Sequence, residues 1–181
     1  MTITIRAATL DDAASIARVH VASWRTTYRG LVPDGLLDRL AVAPRERYWG
    51  GIIANPDAPE FIYVAQSPDG EIIGFVSGGP EQQGSSEYTG ELYAIYLLED
   101  WQRQGIGRRL TREVARELLA RGHSSMLLWV FAGSTFRRFY ERLGGIVVAE
   151  KEETFGGATL LVVAYGWSDL QRLYDILITA T

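Results

Sequence analysis

The chain has 181 residues, of which 47% are hydrophobic and 22% are charged, and its formal net charge is −4. This length and composition predict one globular domain with a full hydrophobic core, and they argue against a disordered chain. The negative charge argues against a broad nucleic-acid-binding surface. The sequence contains no cysteine, which excludes disulfides, thiolate zinc sites and a cysteine nucleophile.

The N-terminal residues carry no basic-then-apolar signal pattern, and no apolar run approaches the roughly 18 residues that a membrane helix needs. We therefore expect a cytoplasmic protein without a membrane segment. The two histidines, His20 and His123, lie far apart in sequence, and no carboxylates accompany them at metal-ligand spacing. We expect no metal cofactor.

Strands and helices are predicted from hydrophobic periodicity and from capping and turn residues. Thr9 and Asp12 form a capping pair before the first helix, and Ser168 is expected to cap the last. Strands are predicted at residues 2–8, 60–66, 71–79, 91–98, 124–131, 146–153 and 158–166. Helices are predicted from about residue 10, and at 36–40, 44–54, 105–121, 134–145 and 168–177.

The order of these elements is a strand, helices, three strands, a helix, a strand, a helix and a final hairpin. It predicts a single α/β domain with a mixed sheet. The stretch 79–90, between the third and fourth strands, is predicted to be a polar loop.

The segment DWQRQGIGRRL, residues 100–110, places two glycines between a buried strand and an amphipathic helix. The first N–H groups of a helix lack intrahelical partners, and glycines allow an anion to approach the backbone closely. Arg103, Arg108 and Arg109 are expected to add positive charge at the rim. A plain tight turn before an ordinary helix is the alternative explanation.

Two familiar phosphate-binding motifs do not fit this segment. A Walker A motif needs lysine and then serine or threonine after the second glycine, and Arg108 and Arg109 stand there. The dinucleotide fingerprint needs a third glycine at the position of Leu110. The remaining pattern is Q-x-x-G-x-G, formed by Gln102, Gly105 and Gly107.

The stretch ELYAIYLLEDWQRQGIGRRL, residues 91–110, resembles the acyl-CoA-binding core of the GNAT superfamily of N-acetyltransferases. The resemblance implies a GNAT-like fold, with a central bulged and splayed sheet flanked by helices. It implies one N-acetyltransferase domain over residues 1–181, with the acetyl-CoA-binding core at about 91–145. The residues implied to hold the CoA pyrophosphate are Gln102, Arg103, Gln104, Gly105, Ile106, Gly107 and Arg108.

A second segment, FRRFYERLGG at residues 136–145, is similar to a later helix of the same family. Three positions depart from the family pattern N-x-x-A-x-x-F-Y-E-x-x-G-F: Gly133 replaces asparagine, Phe136 replaces alanine and Gly145 replaces phenylalanine. The family asparagine commonly contacts the pantetheine arm of the cofactor. We expect Ser134 to substitute for that contact.

The resemblance also assigns catalytic roles. The main chain of Ile95, Tyr96 and Leu97 is implied to bind the acetyl and pantetheine groups at a bulge in the strand. Tyr140 is implied to be the general acid for the departing thiolate. Glu91, eleven positions before Gln102, is implied to be the general base, with a pKa raised by an apolar environment. For each side chain the alternative is an ordinary structural role.

Trp24, Tyr28 and Trp49 lie in the helical N-terminal third, which forms one wall of the acceptor site in this family. Aromatic rings bind cationic amines through cation–π contacts, and packing on the sheet is the alternative. Tyr93, on the same strand as Glu91, is expected either to line the acceptor site or to pack.

These features predict an enzyme that moves an acetyl group directly from acetyl-CoA to the primary amine of a small molecule, such as an amino acid, an analogue or a polyamine-like compound. One alternative is acetylation of a protein or peptide N-terminus or lysine. The other is a non-catalytic acyl-CoA-binding sensor. The apolar strand at 158–166 suggests a homodimer.

Overall fold

Residues 2–179, which the computed structural model describes, fold around one seven-stranded sheet. Six α-helices flank the sheet. The strands are β1 (Thr4–Ala7), β2 (Phe61–Gln66), β3 (Ile72–Pro80), β4 (Gly90–Leu97), β5 (Met126–Phe131), β6 (Ile146–Phe155) and β7 (Ala158–Trp167). The helices are α1 (Ala13–Thr27), α2 (Asp34–Asp38), α3 (Val42–Ala54), α4 (Ile106–Ala120), α5 (Arg137–Arg142) and α6 (Leu170–Thr179).

The strands lie in the order β1-β2-β3-β4-β5-β7-β6. Every neighbouring pair is antiparallel except β4 and β5, which are parallel because α4 connects them by a crossover. The sheet is therefore mixed, and the predicted α/β class is confirmed.

Two irregularities shape the middle of the sheet. Strands β4 and β5 pair only at Gly90 with Met126 and at Glu91 with Leu127, and they separate beyond that point. On its other edge, β4 carries a bulge against β3. Ser77 opposes Ala94 and Gly78 opposes Leu92, so Tyr93 is the extra residue. Together, the bulge and the separation of β4 from β5 open a cleft between these two strands, on the side of their carboxyl ends.

The helices cover both faces of the sheet. Helix α4 buries its apolar stripe in the larger core, where α6 packs against it, and the buried residues of that stripe are Ile106, Leu110, Val114 and Leu118. Helices α1 and α3 pack together on the opposite face, where Ile16 and Trp49 meet Phe75 of β3. None of the described helices has the length and apolarity to cross a membrane.

Several element boundaries differ from the sequence-based predictions. A 3-10 turn at Leu10–Asp12 precedes α1, and the Thr9 N–H donates to the Asp12 carboxylate as the capping pair predicts. Helix α3 starts two residues before Pro44, since a proline is tolerated in the first turn, where N–H groups have no intrahelical partner. Asp169, and not Ser168, caps α6, because its Oδ1 accepts the Arg172 N–H at 2.9 Å.

The apolar residues of β7 are mostly buried inside the chain. Strand β7 lies between β5 and β6, and its residues 162–167 are all buried. The apolar pattern that suggested a dimer is therefore explained by the interior position of this strand.

Candidate active site

The cleft between β4 and β5 continues into one cavity of about 1150 Å³. Three segments that are distant in sequence line it: the end of β4, the glycine turn (102–108) and the stretch from Val130 through α5. Residues of α1 close the remaining side. The predicted site residues on its lining are Ile95, Tyr96, Leu97, Gln102, Arg103, Gly105, Gly107, Arg108, Ser134, Tyr140 and Tyr28.

The glycine turn ends at the N-terminus of α4. Its two glycines are there for different structural reasons. Gly105 has φ +79°, in the left-handed region that favours glycine. A Cβ added at Gly107 would meet only the Phe139 ring, at an ordinary 3.8 Å. Internal packing therefore does not demand glycine at position 107, and the free space beside it belongs to the cavity.

Other residues of the turn are engaged within the protein. The Gln102 side chain lines the cavity and donates to the Leu97 carbonyl, which ties the turn to the end of β4. The Gln104 amide donates to the Asp100 carbonyl, and the Ile106 side chain is buried in the core. Neither of these two lines the cavity, so the contribution left to Ile106 is its main-chain N–H.

Five arginines line the cavity, and they divide by whether their guanidinium groups have protein partners. Arg108 donates to the carbonyls of Ile176 and Leu177 in α6, and Arg137 donates to Ala132 and Tyr165. Arg109, expected at the rim, donates to the Ile3 carbonyl and does not line the cavity.

The other three arginines, Arg103, Arg138 and Arg142, are exposed and make no hydrogen bond or ion pair within residues 2–179. Sequence reasoning missed Arg138 and Arg142. Their spacing of four residues on a helix, flanking the FYE motif, was the available signal.

Tyr140 projects from α5 and is 7% exposed. Its ring is held among aromatic neighbours, with Phe139 at 5.3 Å, Tyr165 at 6.0 Å and Trp167 at 6.5 Å between centroids. The hydroxyl has no hydrogen-bond partner among the described residues. Burial raises the pKa of Tyr140 well above its usual value, so the group is protonated at neutral pH.

Two departures from the family pattern have steric causes. A Cβ at Gly133 would lie 2.8 Å from the Leu31 side chain, so a larger residue there needs Leu31 to move. A Cβ at Gly145 would lie 2.6 Å from the Trp167 indole, which is itself buried and donates to the Leu143 carbonyl. Ser134 is buried on the cavity lining, and its hydroxyl oxygen accepts the Phe136 N–H at 3.2 Å.

Glu91 lies where β4 separates from β5, at the closed end of the cleft and outside the lining of the main cavity. It is 6% exposed, and its Oε2 accepts the Gln82 N–H at 3.1 Å. Burial raises the pKa of Glu91 to about 7. Tyr93, the bulge residue, donates to the Pro80 carbonyl, and burial raises its pKa to about 12.

Aromatic side chains of α1 form the other side of the cleft. Tyr28 lines the cavity, with its ring 4.8 Å from Trp24 and 5.0 Å from Phe131. Trp24 lies behind this surface, 6.5 Å from the Tyr96 ring. Trp49 is 2% exposed and donates to His20 Nδ1 at 3.2 Å, so its role is packing between α1 and α3.

This geometry agrees with comparisons to known proteins. The family model for FR47-like proteins matches residues 83–154, which include β4, the glycine turn and α5. The uncharacterized N-acetyltransferase YuaI of Bacillus subtilis is 41% identical over 175 residues, which span 97% of this chain and 98% of that one. The chain belongs to the GNAT superfamily of N-acetyltransferases.

Solved structures support the same fold for this acetyltransferase. The PaiA N-acetyltransferase from Thermoplasma acidophilum, in complex with coenzyme A, has a TM-score of 0.71 at 20% identity and covers 90% of this chain and 98% of its own. The acetyltransferase yncA from Salmonella typhimurium, with its cofactor acetyl-CoA, has a TM-score of 0.70 at 20% identity and covers 94% and 95%. The GNAT fold is thereby confirmed, and the acetyltransferase is an acyl-transferring enzyme.

Within residues 2–179, no group of three or more histidine, aspartate or glutamate side chains is arranged to hold a metal ion.

Proposed function

We propose that this acetyltransferase moves an acetyl group from acetyl-CoA directly to the primary amine of a small molecule. One observation carries the proposal. The separation of β4 from β5 creates a single cavity that includes the main chain of residues 95–97, the glycine turn and the Tyr140 hydroxyl-bearing ring. A cofactor bound along this path has its phosphates at the turn and its thioester beside β4.

The phosphate end of acetyl-CoA has a matching surface. The N-terminus of α4 offers main-chain N–H groups with partial positive charge, and Gly105 and Gly107 leave the approach open. Arg103, Arg138 and Arg142 supply positive charge, and their side chains have no competing partners among residues 2–179, although the protein as a whole is acidic. The coenzyme A of the PaiA structure and the acetyl-CoA of the yncA structure support this assignment.

The thioester end meets the free edge of β4. Past Glu91, where the pairing with β5 ends, the cleft side of β4 has no partner strand within residues 2–179. The main-chain groups of Ile95, Tyr96 and Leu97 on this edge are available to the pantetheine amides and to the thioester carbonyl. An N–H aimed at that carbonyl oxygen stabilises the oxyanion that forms when the amine attacks.

Tyr140 serves the leaving group. As the tetrahedral intermediate collapses, the carbon–sulfur bond breaks and the electron pair stays on the CoA sulfur. The raised pKa of Tyr140 keeps its proton on the hydroxyl until that anion develops, and the hydroxyl then donates to the sulfur. A neighbouring hydrogen-bond acceptor in the protein would compete for this proton, and the hydroxyl has none within the described residues.

Glu91 serves the acceptor. An amine is mostly ammonium at neutral pH and must lose a proton before it attacks. A carboxylate with a pKa of about 7 is ionised over half the time just above neutral pH and is a far stronger base than an exposed glutamate. Because Glu91 is at the closed end of the cleft and outside the cavity lining, we propose that the proton reaches it through one water.

The acceptor occupies the α1 side of the cavity. Ser23, Thr27 and Tyr28 border this space, and Trp24 supports the Tyr28 ring. An aromatic face suits a small cationic amine through cation–π contact. The cavity of about 1150 Å³ has to hold acetyl-CoA as well as the acceptor, and on this ground we propose a small molecule and not a peptide chain.

The test is a thiol-release assay with acetyl-CoA and a panel of amino acids, amino-acid analogues, polyamines and lysine peptides. We expect CoA release above the hydrolysis background with at least one small amine and formation of its N-acetyl product by mass spectrometry. Release only with peptides would move the assignment to protein acetylation. Tight acetyl-CoA binding without release for any amine would favour a sensor.

We further propose that residues 1–181 form one N-acetyltransferase domain, with the cofactor held by residues 91–145. We also propose the homodimer expected from the sequence. The exposed large apolar side chains of the C-terminal hairpin that could support it are Ile146, Val147 and Leu161. Sedimentation velocity distinguishes a dimer from a monomer.

A further inference from the structure

Lys151 is the only lysine in a chain with 17 arginines, and it lies on β6 beside the closed end of the cleft. Its ammonium group sits 4.2 Å from the centroid of the Trp129 ring, and its side chain is 29% exposed. Strand β6 has no direct pairing with β4, so the side chain reaches toward the cleft from a different part of the sheet.

The contacts of Lys151 lead to Glu91 in two steps. The Lys151 Nζ donates to Gln83 Oε1 at 2.7 Å. The adjacent residue, Gln82, donates its main-chain N–H to Glu91 Oε2 at 3.1 Å. A side chain of the C-terminal hairpin therefore holds the segment whose backbone contacts the proposed base.

The charged groups around Glu91 act in opposite directions on its ionisation. Burial and the Glu81 carboxylate raise the pKa of Glu91, whereas the Gln82 N–H and the Lys151 charge lower it. The nearby Tyr93 hydroxyl is protonated at neutral pH and adds no charge. Glu153 pairs with Lys151 at 2.5 Å and fixes the ammonium from the side of the hairpin.

We propose that Lys151 is a positioning residue for Glu91. It anchors Gln83 so that the Gln82 N–H stays on the Glu91 carboxylate, and its charge favours the ionised form that accepts a proton. The inference rests on the proposed role of Glu91 as base. The Trp129 ring supports the ammonium from below and leaves its N–H groups free for Gln83 and Glu153.

Loss of Lys151 removes two influences of the same sign. Without its charge and without the anchored Gln82 N–H, the Glu91 carboxylate is less stable relative to its protonated form. The acidic limb of the kcat/KM profile should then move to higher pH. The plateau at alkaline pH should stay, because Glu91 is fully ionised there in both proteins.

The experiment compares Lys151→Met, Lys151→Arg and Gln83→Leu, with Arg172→Met as a control that removes one positive charge from α6. Methionine keeps an apolar stem on Trp129, and circular dichroism with thermal melting verifies folding. We expect Lys151→Met to lower kcat/KM about threefold on the acidic limb and not on the plateau. Lys151→Arg should recover most of the loss, and Gln83→Leu should show a smaller shift in the same direction.

A second readout does not depend on activity. The Glu91 carboxyl carbon, assigned in ¹³C-glutamate-labelled protein by its loss in Glu91→Gln, reports the titration midpoint directly by NMR. Lys151→Met should raise this midpoint, and a midpoint and profile equal to wild type would overturn the proposal. If Glu91→Gln itself leaves the rate profile unchanged, Glu91 is not the base, and the NMR midpoint still decides whether Lys151 acts on it.

Discussion

The two walls of the cleft are built by different means. The cofactor wall, residues 95–108 and 130–142, is formed by main-chain groups, glycines and arginines of the chain's central segment. The proposed acceptor wall is the α1 side of the cavity, and beyond it, at the closed end of the cleft, Glu91 accepts the Gln82 N–H and Lys151 donates to Gln83. In the proposed function, the first wall binds the phosphates and the thioester of acetyl-CoA, which are the same for every acceptor, and local backbone geometry forms this wall. The second wall would bind the acceptor amine, and it depends on side chains from distant elements.

The two walls also differ in the charge that their side chains carry. Arg103, Arg138 and Arg142, whose side chains have no partner within residues 2–179, line the cavity proposed to hold the cofactor. The α1 side instead carries aromatic rings, and the buried Glu91 carboxyl, whose pKa is raised, lies at the closed end of the cleft. Under the proposed function, this difference directs an anionic cofactor and a cationic amine to opposite sides of one cleft. The predictions that follow test whether the two walls are functionally separable.

Replacement of Tyr140 by phenylalanine should have the largest effect. The change keeps the packed ring and removes the hydroxyl that acts when the thiolate departs. We expect kcat to fall about 10²–10⁴-fold, while the Kd for acetyl-CoA changes little. Stopped-flow turnover and calorimetry measure the two quantities, with Tyr174→Phe as the matched control. Full turnover in Tyr140→Phe would reduce Tyr140 to a packing residue.

Glu91→Gln should impair the activation of the acceptor amine without affecting cofactor binding. Because the pKa of Glu91 is about 7, the ionised fraction of the wild-type base rises through neutral pH and approaches its maximum in the alkaline range. We expect kcat/KM to drop about 10²-fold at and below pH 7, and the gap should narrow as rising pH produces free amine. Acetyl-CoA affinity should hold. The control is Glu150→Gln on exposed β6, and a mutant profile of unchanged height and shape would remove Glu91 from the mechanism.

Gly107→Val should weaken the binding of acetyl-CoA without affecting the acceptor side of the cleft. The added side chain enters the open space beside the turn and meets no protein atom closer than 3.8 Å at its Cβ, so folding should survive. We expect acetyl-CoA affinity to weaken at least about tenfold, or about 1.4 kcal/mol. Calorimetry measures this, and Gly51→Val, in an open position of α3, controls for valine in a helix. Unchanged affinity would make the turn purely structural.

The Arg138→Ala, Arg142→Ala double variant should have the smallest effect on the cofactor wall. Exposed charges are screened by salt, so we expect the acetyl-CoA KM to rise about three- to fivefold at low ionic strength and less at 0.5 M salt. Initial rates at two salt concentrations provide the measurement, and Arg18→Ala on α1 is the control. A salt-independent effect would indicate a packing role for these side chains.

The strand, the glycine turn and the helix of the cofactor wall were predicted correctly, because their signals are local. A buried strand, two glycines and an amphipathic helix follow one another within residues 91–120, and their geometry depends on neighbouring residues. The same locality located Tyr140 on a helix beside the cleft. The bulge at Tyr93 and the splay of β4 from β5 came from the family resemblance, since no residue pattern in β4 alone specifies them.

The acceptor wall was harder to predict because its contacts span the chain. Lys151 reaches Gln83 only because β6 pairs with β7 in a particular register, with Lys151 opposite Val162. On the cofactor wall, Arg138 and Arg142 were missed, because their four-residue spacing around the FYE motif does not by itself separate cavity-lining arginines from solvated ones. The apolar residues of β7 suggested a dimer interface, but the strand order places β7 between β5 and β6, where most of these residues are buried.

The central claim is direct transfer within a cleft that holds both substrates at once. Initial rates measured with acetyl-CoA and the most reactive amine of the panel both varied test it most directly. For direct transfer, we expect intersecting double-reciprocal lines. We also expect intact-mass analysis to detect no acetylated enzyme after incubation with acetyl-CoA alone. Parallel lines, together with a stable acetyl-enzyme, would contradict it.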